Sequence, residues 1–305
     1  MHKLKIAGVA GFTFHIDTTQ KRKDSLKDLN EKDHNALRQK FADMVFAEGG
    51  ITCSFNQTVS EKTLDQIPAT IDWAKKNPHK VHTAVFILYR EPSMISNFSF
   101  FFNGEMKEAD DSYNDTDFGG NTVLKTQDLV NQIRNSNPLY EPGGYLNGSV
   151  DPECMKWTLA VRYSTRKKTL EFAGPKFMKV VQQTSHLFRD RWLSYSSPKF
   201  LNKGRLSMLL FRFIDKQSRH ALWNYIKNPL GIFQRAYLQS FAFIQPLGVL
   251  ADGQMNMCDG CPDMTVYNGN LYWSCRFEEI KEQGVFATAV PKTKISKSEI
   301  KKEFA

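Results

Sequence analysis

The sequence predicts an α/β fold: a parallel sheet with helices between its strands, then a mainly helical segment, then a small cysteine-rich β-hairpin. Three observations predict it. Strand and helix signals alternate through the first ninety residues. Helical periodicity dominates from about Pro175 to Ile244. Cys258, Cys261 and Cys275 bracket a short strand–turn–strand pattern. The corresponding segments are 1–95, a β-α-β-α-β unit; 96–250, irregular and then helical; 251–285, the cysteine hairpin; and 286–305, a basic tail.

Ala10 to Asp17 alternates and is rich in aromatic and β-branched residues, as a strand is. Residues 33–48 place Leu37, Phe41, Met44 and Val45 at helical spacing, and Gly49-Gly50 supplies the stop. Ile51 to Phe55 reads as a second strand. Pro68 fits the first turn of a helix, where its missing N–H is not needed, with Ile71 and Ala74 on one face. His82 to Tyr89 is a third strand, almost continuously apolar, which suits a parallel sheet covered on both faces. In such sheets polar groups at the C-terminal strand ends form the site. Here these are His15, Asp17, Thr18, Gln20 and Arg22, then Asn56, Gln57 and Thr58, then Arg90 and Glu91. Each also has a plain structural reading, as a cap or a surface pair.

Residues 93–155 look irregular, with a strand or buried connection at Met94 to Phe102. The acidic run Asp110 to Asp117 lacks the Gly and Glu of an EF-hand loop and reads as a solvent loop. Thr126 is expected to cap a helix carrying Leu129, Val130 and Ile133 on one side, and Trp157 to Tyr163 reads as a strand. Beyond Pro175, apolar stripes run through Phe177, Val180, Val181 and Leu187, through Leu206, Leu209, Leu210 and Phe213, and through Trp223, Ile226, Phe233, Tyr237 and Phe241. These are expected to pack a helical subdomain onto the sheet.

The chain has 305 residues, net charge +9 and a sequence pI of about 9.2. The basic excess reads as diffuse apart from Arg166-Lys-Lys and the tail, so a solvated face is expected and nucleic acid is not. No stretch approaches eighteen apolar residues and residues 1–16 do not form a signal peptide, so the reading is cytoplasmic, with no membrane partner. Five cysteines, an odd count, argue for reduced thiols and metal over a disulfide framework. Cys258-x-x-Cys261 with Cys275 thirteen residues on is a thiolate spacing that suits zinc or an iron–sulfur cluster; a metal-free hairpin remains the third option. Asp259, Asp263, Cys154 and His186 are candidates for a fourth ligand.

The stretches Gly11-Phe-Thr-Phe-His-Ile-Asp17, Ile51-Thr-Cys-Ser-Phe-Asn-Gln-Thr-Val59 and Thr63-Leu-Asp-Gln-Ile-Pro-Ala-Thr-Ile-Asp-Trp-Ala74 resemble the later half of a radical S-adenosylmethionine (radical SAM) barrel, over roughly residues 5–92. Cys258 to Cys275, with its Tyr267-Asn-Gly269 turn, resembles the auxiliary iron–sulfur hairpin of SPASM or twitch type that follows such barrels. The resemblance implies the C-terminal half of a (β/α)6 partial TIM-type barrel. It implies S-adenosylmethionine lying across the strand ends, touched by His15, Asp17, Arg22 and Asn56. It implies an auxiliary 4Fe-4S cluster on Cys258, Cys261 and Cys275, acting on an unknown peptide or small-molecule substrate. The Cys-x-x-x-Cys-x-x-Cys loop that makes the radical in this family does not occur in the sequence, so a missing N-terminal half is an expected partner and the enzyme class belongs to the parent protein. The rival reading is a non-catalytic binding module with a zinc ribbon and a basic surface.

Overall fold

A computed structural model describes residues 1–20, 29–89, 97–107, 124–189, 203–228, 230–261 and 263–292. A short helix α1 (His2–Ile6) precedes β1 (Gly11–His15), α2 (Asn35–Glu48), β2 (Thr52–Val59), α3 (Ile67–Lys76) and β3 (Thr83–Leu88). From β1 to β3 these are the elements the sequence predicts; α1 is not among them. Gly49 ends α2 at φ +68, and Pro68 sits in the first turn of α3. One boundary moves: β2 runs on to Val59, so Asn56, Gln57 and Thr58 lie within the strand rather than after it.

Next come β4 (Phe98–Phe102), β5 (Glu105–Lys107), α4 (Thr126–Ser136), β6 (Gly144–Asn147), β7 (Met155–Ser164) and β8 (Thr169–Phe172). Lys125, not Thr126, is the N-cap of α4, and its N–H donates to the Asp128 carboxylate at 2.8 Å. The remaining elements are α5 (Pro175–Arg189), α6 (Gly204–Phe211), α7 (Lys216–Ile226), β9 (Tyr237–Ile244), β10 (Gly248–Val249), β11 (Met255–Asn256), β12 (Met264–Tyr267), β13 (Asn270–Trp273), α8 (Phe277–Gln283) and β14 (Thr288–Pro291).

The fold is mixed α/β with a mainly parallel central sheet. Strands lie in the order β1-β2-β3-β9-β7-β6, and β8 also pairs with β7. β1, β2, β3 and β9 are parallel; β7 runs antiparallel to β9 and to β6 and β8. The helical stripe expected through Tyr237 and Phe241 is therefore a strand. β9 is the central strand, buried almost throughout, and a strand buried on both faces carries no period of two that separates it from a buried helix. Strands from 11–88 and from 144–244 share this one sheet.

Two cores cover the sheet. Phe55, Phe86, Phe241 and Phe243 pack with Ile71 of α3 and Leu129 and Ile133 of α4 on one face. Leu159, Val161 and Leu238 pack with Phe177 of α5, Met208 of α6 and Ala221 of α7 on the other. The expected packing of α6 is reversed. It buries Gly204, Ser207 and Met208 and turns Leu206, Leu209 and Leu210 outward. The reason is close approach: a Cβ on Gly204 would stand 2.7 Å from the Ala236 backbone, so only the small-residue face fits against the start of β9. Phe177 and Val181 pack inward as expected, while Leu187, Trp223 and Phe233 are exposed.

Candidate functional site

Strand alternation sorts β1 and β2 into two faces. Phe12, Phe14, Cys53, Phe55 and Val59 feed the core beneath α2 and α3. The other face carries Thr13 and His15 beside Ser54, Asn56 and Thr58, with His15 directly opposite Asn56 in the ladder. One polar surface thus collects His15, Asn56 and Thr58, while Gln57 alternates onto the core face with Phe55 and Val59.

Asp17, just past β1, has no exposed surface and accepts four hydrogen bonds. His15 Nε2 lies 2.6 Å from its Oδ2, and the Thr58 N–H donates to the same oxygen at 2.7 Å. The Thr19 N–H and hydroxyl take Oδ1 at 3.1 and 2.7 Å. Burial works to raise this carboxyl's pKa. The bonds from His15, Thr19 and Thr58 outweigh it together and hold the group well below the usual carboxylate range. Asp17 is therefore an anionic clamp between two strand ends, and it orients His15, whose ring also meets Thr58 Oγ1 at 3.2 Å. The Asn56 Oδ1 atom is buried and meets no protein partner among the described residues. Both amide atoms of Gln57 are in the same position, with that residue 2% exposed. Arg22, Arg90, Glu91 and the acidic run at 110–117 lie outside the described residues.

Two residues absent from the sequence reading hold this region in place. Arg38 of α2 and Glu31 form an ion pair at 2.6 Å with neither side chain exposed. Arg38 also donates to the Ile16 carbonyl at 2.7 Å, and Glu31 accepts the Thr18 N–H at 2.6 Å. The pair ties α2 to the chain on both sides of Asp17. On a helix wheel Arg38 falls on the buried face with Ala42 and Val45, and a cation at an apolar-face position is the signal that marks it.

The cysteine hairpin forms as predicted. Asn268 and Gly269 both take positive φ, 48° and 79°, making the tight turn between β12 and β13. Gly260 takes φ +65 between the first two thiols. The Cys258 segment is pinned to the end of β6. Gly148 bridges to Cys258 and donates its N–H to the Cys154 carbonyl at 2.8 Å, and the Asp259 N–H donates to the Asn147 carbonyl at 2.9 Å. The Asn256 side chain accepts the Val150 and Asp151 N–H groups, both at 3.1 Å. These bonds place Cys154, which stands alone in the sequence, beside the Cys258 strand.

The Cys258 and Cys261 thiols act on each other: the neighbouring Cys261 thiol, with burial, pushes Cys258 far up, while Cys258 holds Cys261 down at about 7. Cys261 Sγ donates to the Asp263 carbonyl at 3.7 Å. The buried Lys156 ammonium, 1% exposed, acts electrostatically on both Cys258 and Cys154 and favours their thiolates. Cys275 follows β13, is exposed, and reaches Cys258 electrostatically. Of the other candidates, the Asp263 carboxylate accepts the Ser274 hydroxyl at 2.9 Å, Asp259 is exposed, and His186 lies on the exposed side of α5. Among the described residues no three His, Cys, Asp or Glu side chains are gathered at metal-ligand range. Cys261, before β12, and Cys275, after β13, flank the same open end of the hairpin, where Met264 pairs with Trp273 and the Ser274 N–H donates to the Asp263 carbonyl at 3.2 Å. Cys53, by contrast, is buried within β2 with its pKa pushed up to about 12, an inert core thiol.

Compared with known proteins, the chain matches no family model, no curated protein and no solved structure.

Proposed function

We propose that this chain supplies the S-adenosylmethionine-facing strands and the auxiliary cluster of a radical SAM iron–sulfur protein, its parallel strands forming part of a TIM-type barrel. The observation that carries the reading is the pair of mutually interacting thiols Cys258 and Cys261, acted on by the buried Lys156, at a hairpin that also presents Cys275. A polar surface formed by His15, the last residue of β1, and Asn56, opposite it within the parallel strand β2, supports it.

In this reading Cys258, Cys261 and Cys275 hold the cluster, which supplies electron transfer or an open iron for substrate. Lys156 offsets the negative charge that thiolates bring. Asp17 keeps its charge in structural bonds and orients His15, while the unpaired Asn56 carbonyl offers an acceptor to a ribose hydroxyl or an amine. The rival binding module shares the hairpin and differs in its metal, a zinc ion.

The test is anaerobic purification with iron, sulfide and zinc measured per chain. About four iron and four sulfide are expected. Cys258→Ser and Cys261→Ser should each lower iron, and unchanged iron in both would remove the ligand assignment. About one zinc without sulfide would replace the cluster with a structural ribbon.

A further inference from the structure

The outward stripe on α6 and α7 goes beyond this reading. Leu206, Leu209 and Leu210 of α6, Phe213 just after it, and Trp223 of α7 are 44–74% exposed, and Phe233 is 86% exposed. The α6 residues and Phe213 follow helical spacing, so one continuous face points to solvent. The display is built into the fold. Arg205 donates to the Ile232 and Gln234 carbonyls at 2.6 and 2.8 Å, and the Tyr225 hydroxyl donates to the same two at 2.8 and 2.7 Å. These four bonds hold the loop that presents Phe233. Leu206 and Phe233 line one hollow together with Lys203, Arg205 and Arg235.

Charge follows the same surface. Although the basic excess reads as diffuse, the described residues from Lys203 to Arg235 include seven Lys and Arg and one carboxylate. Asp215, the one carboxylate among the described residues of this segment, is 2% exposed and caps α7 by accepting the Ser218 N–H at 2.8 Å. The outer face thus shows apolar side chains among cations and no carboxylate among the described residues.

We infer that the α6–α7 face docks the protein on an anionic lipid bilayer, lying in the interface with Leu209, Leu210, Phe213 and Trp223 among the acyl chains and the cations at the headgroups. A surface helix rich in Lys and Arg with Leu, Phe and Trp projecting has the composition for this. A second copy of the same face would be repelled by its own charge. Nucleic acid would satisfy the cations and leave the leucines in water. Among the described residues no helix is long and apolar enough to cross a membrane, and docking in the interface needs none.

The test is co-sedimentation of the full chain with phosphatidylcholine vesicles, with and without phosphatidylserine. Binding is expected only with phosphatidylserine and is expected to fall as salt rises. The pair Leu210→Asp and Phe213→Asp, at exposed positions, should lower the bound fraction about tenfold with an unchanged circular dichroism spectrum. The pair Arg212→Glu and Arg219→Glu should do the same. The inference is overturned if the wild-type chain stays in the supernatant with both vesicle types, or if the Asp pair binds as well as wild type. Self-association dispersed by the Asp pair without vesicle binding, or preference for a nucleic-acid duplex over vesicles, overturns it as well.

Discussion

Replacing Arg38 with methionine tests the internal frame of the candidate site. The guanidinium and the Glu31 carboxylate are both fully buried. Besides Glu31 Oε2, Arg38 serves the backbone carbonyls of Glu31 and Ile16, each at 2.7 Å, and Asn35 Oδ1 at 2.8 Å. Arg38→Met preserves most of the apolar volume but leaves a buried carboxylate whose remaining support among the described residues is the Thr18 N–H. Removing one partner of such a pair destabilises by about 3–5 kcal/mol, because the other charge stays desolvated. For a chain of this size that corresponds to a fall of about 5–10 °C in Tm. Glu31→Leu should cost a similar amount, since it strands the cation instead. In the double variant neither charge remains, so its loss should fall short of the summed single losses by about 2 kcal/mol or more. Urea unfolding followed by circular dichroism measures all three. Single losses under about 1 kcal/mol, or additivity within about 0.5 kcal/mol, would show that the pair does not carry the α2 junction.

Two further outcomes follow from the same bonds. The Asp17 carboxyl is depressed below its ordinary value of 3.8, so its stabilisation is fully present above about pH 4 and drains away as pH falls towards the lower folded value. Asp17→Asn should therefore be less stable by about 1.5–3 kcal/mol at neutral pH, with the gap from wild type narrowing below pH 4; a gap constant from pH 7 to 3 in thermal melts would contradict the clamp. Gly148→Ala places a methyl against the Asn256 side chain and the Asp151 carbonyl, and should cost about 1–3 kcal/mol and loosen the Cys258 segment. Native-state hydrogen exchange across residues 147–151 and 255–259 measures this, and unchanged protection in the variant would refute it.

Much of the fold was readable because its signals are local. Gly49 stops α2 through its own positive φ, and Asn268-Gly269 closes the hairpin through theirs. Pro68 opens α3 because of its ring. The aromatic alternation of β1 and the apolar run of β3 showed their strands for the same reason, and His15 stands at the end of β1 as expected, while Asn56, expected after β2, lies within it.

Other features depend on residues far away in sequence. β9 is a strand because β3 and β7 flank it, and its own residues, buried on both faces, carry no distinguishing period. α6 faces its leucines outward because Gly204 must meet the Ala236 backbone. Arg38 is buried only because Glu31 and the Ile16 carbonyl converge on it, and Asp17 became a clamp once the Thr58 N–H, 41 residues on, reached it. Lys156 reaches both Cys258 and Cys154 electrostatically, and the Gly148 bridge ties the Cys258 segment to the end of β6. By itself the sequence determined the turns and helix stops, the strand periods of β1 and β3, and the spacing of the cysteines, because those depend on each residue's own torsions and its near neighbours. Only the tertiary structure decided which charges are buried, which apolar face looks outward and which side chains meet. Those outcomes are set by contacts between segments distant along the chain.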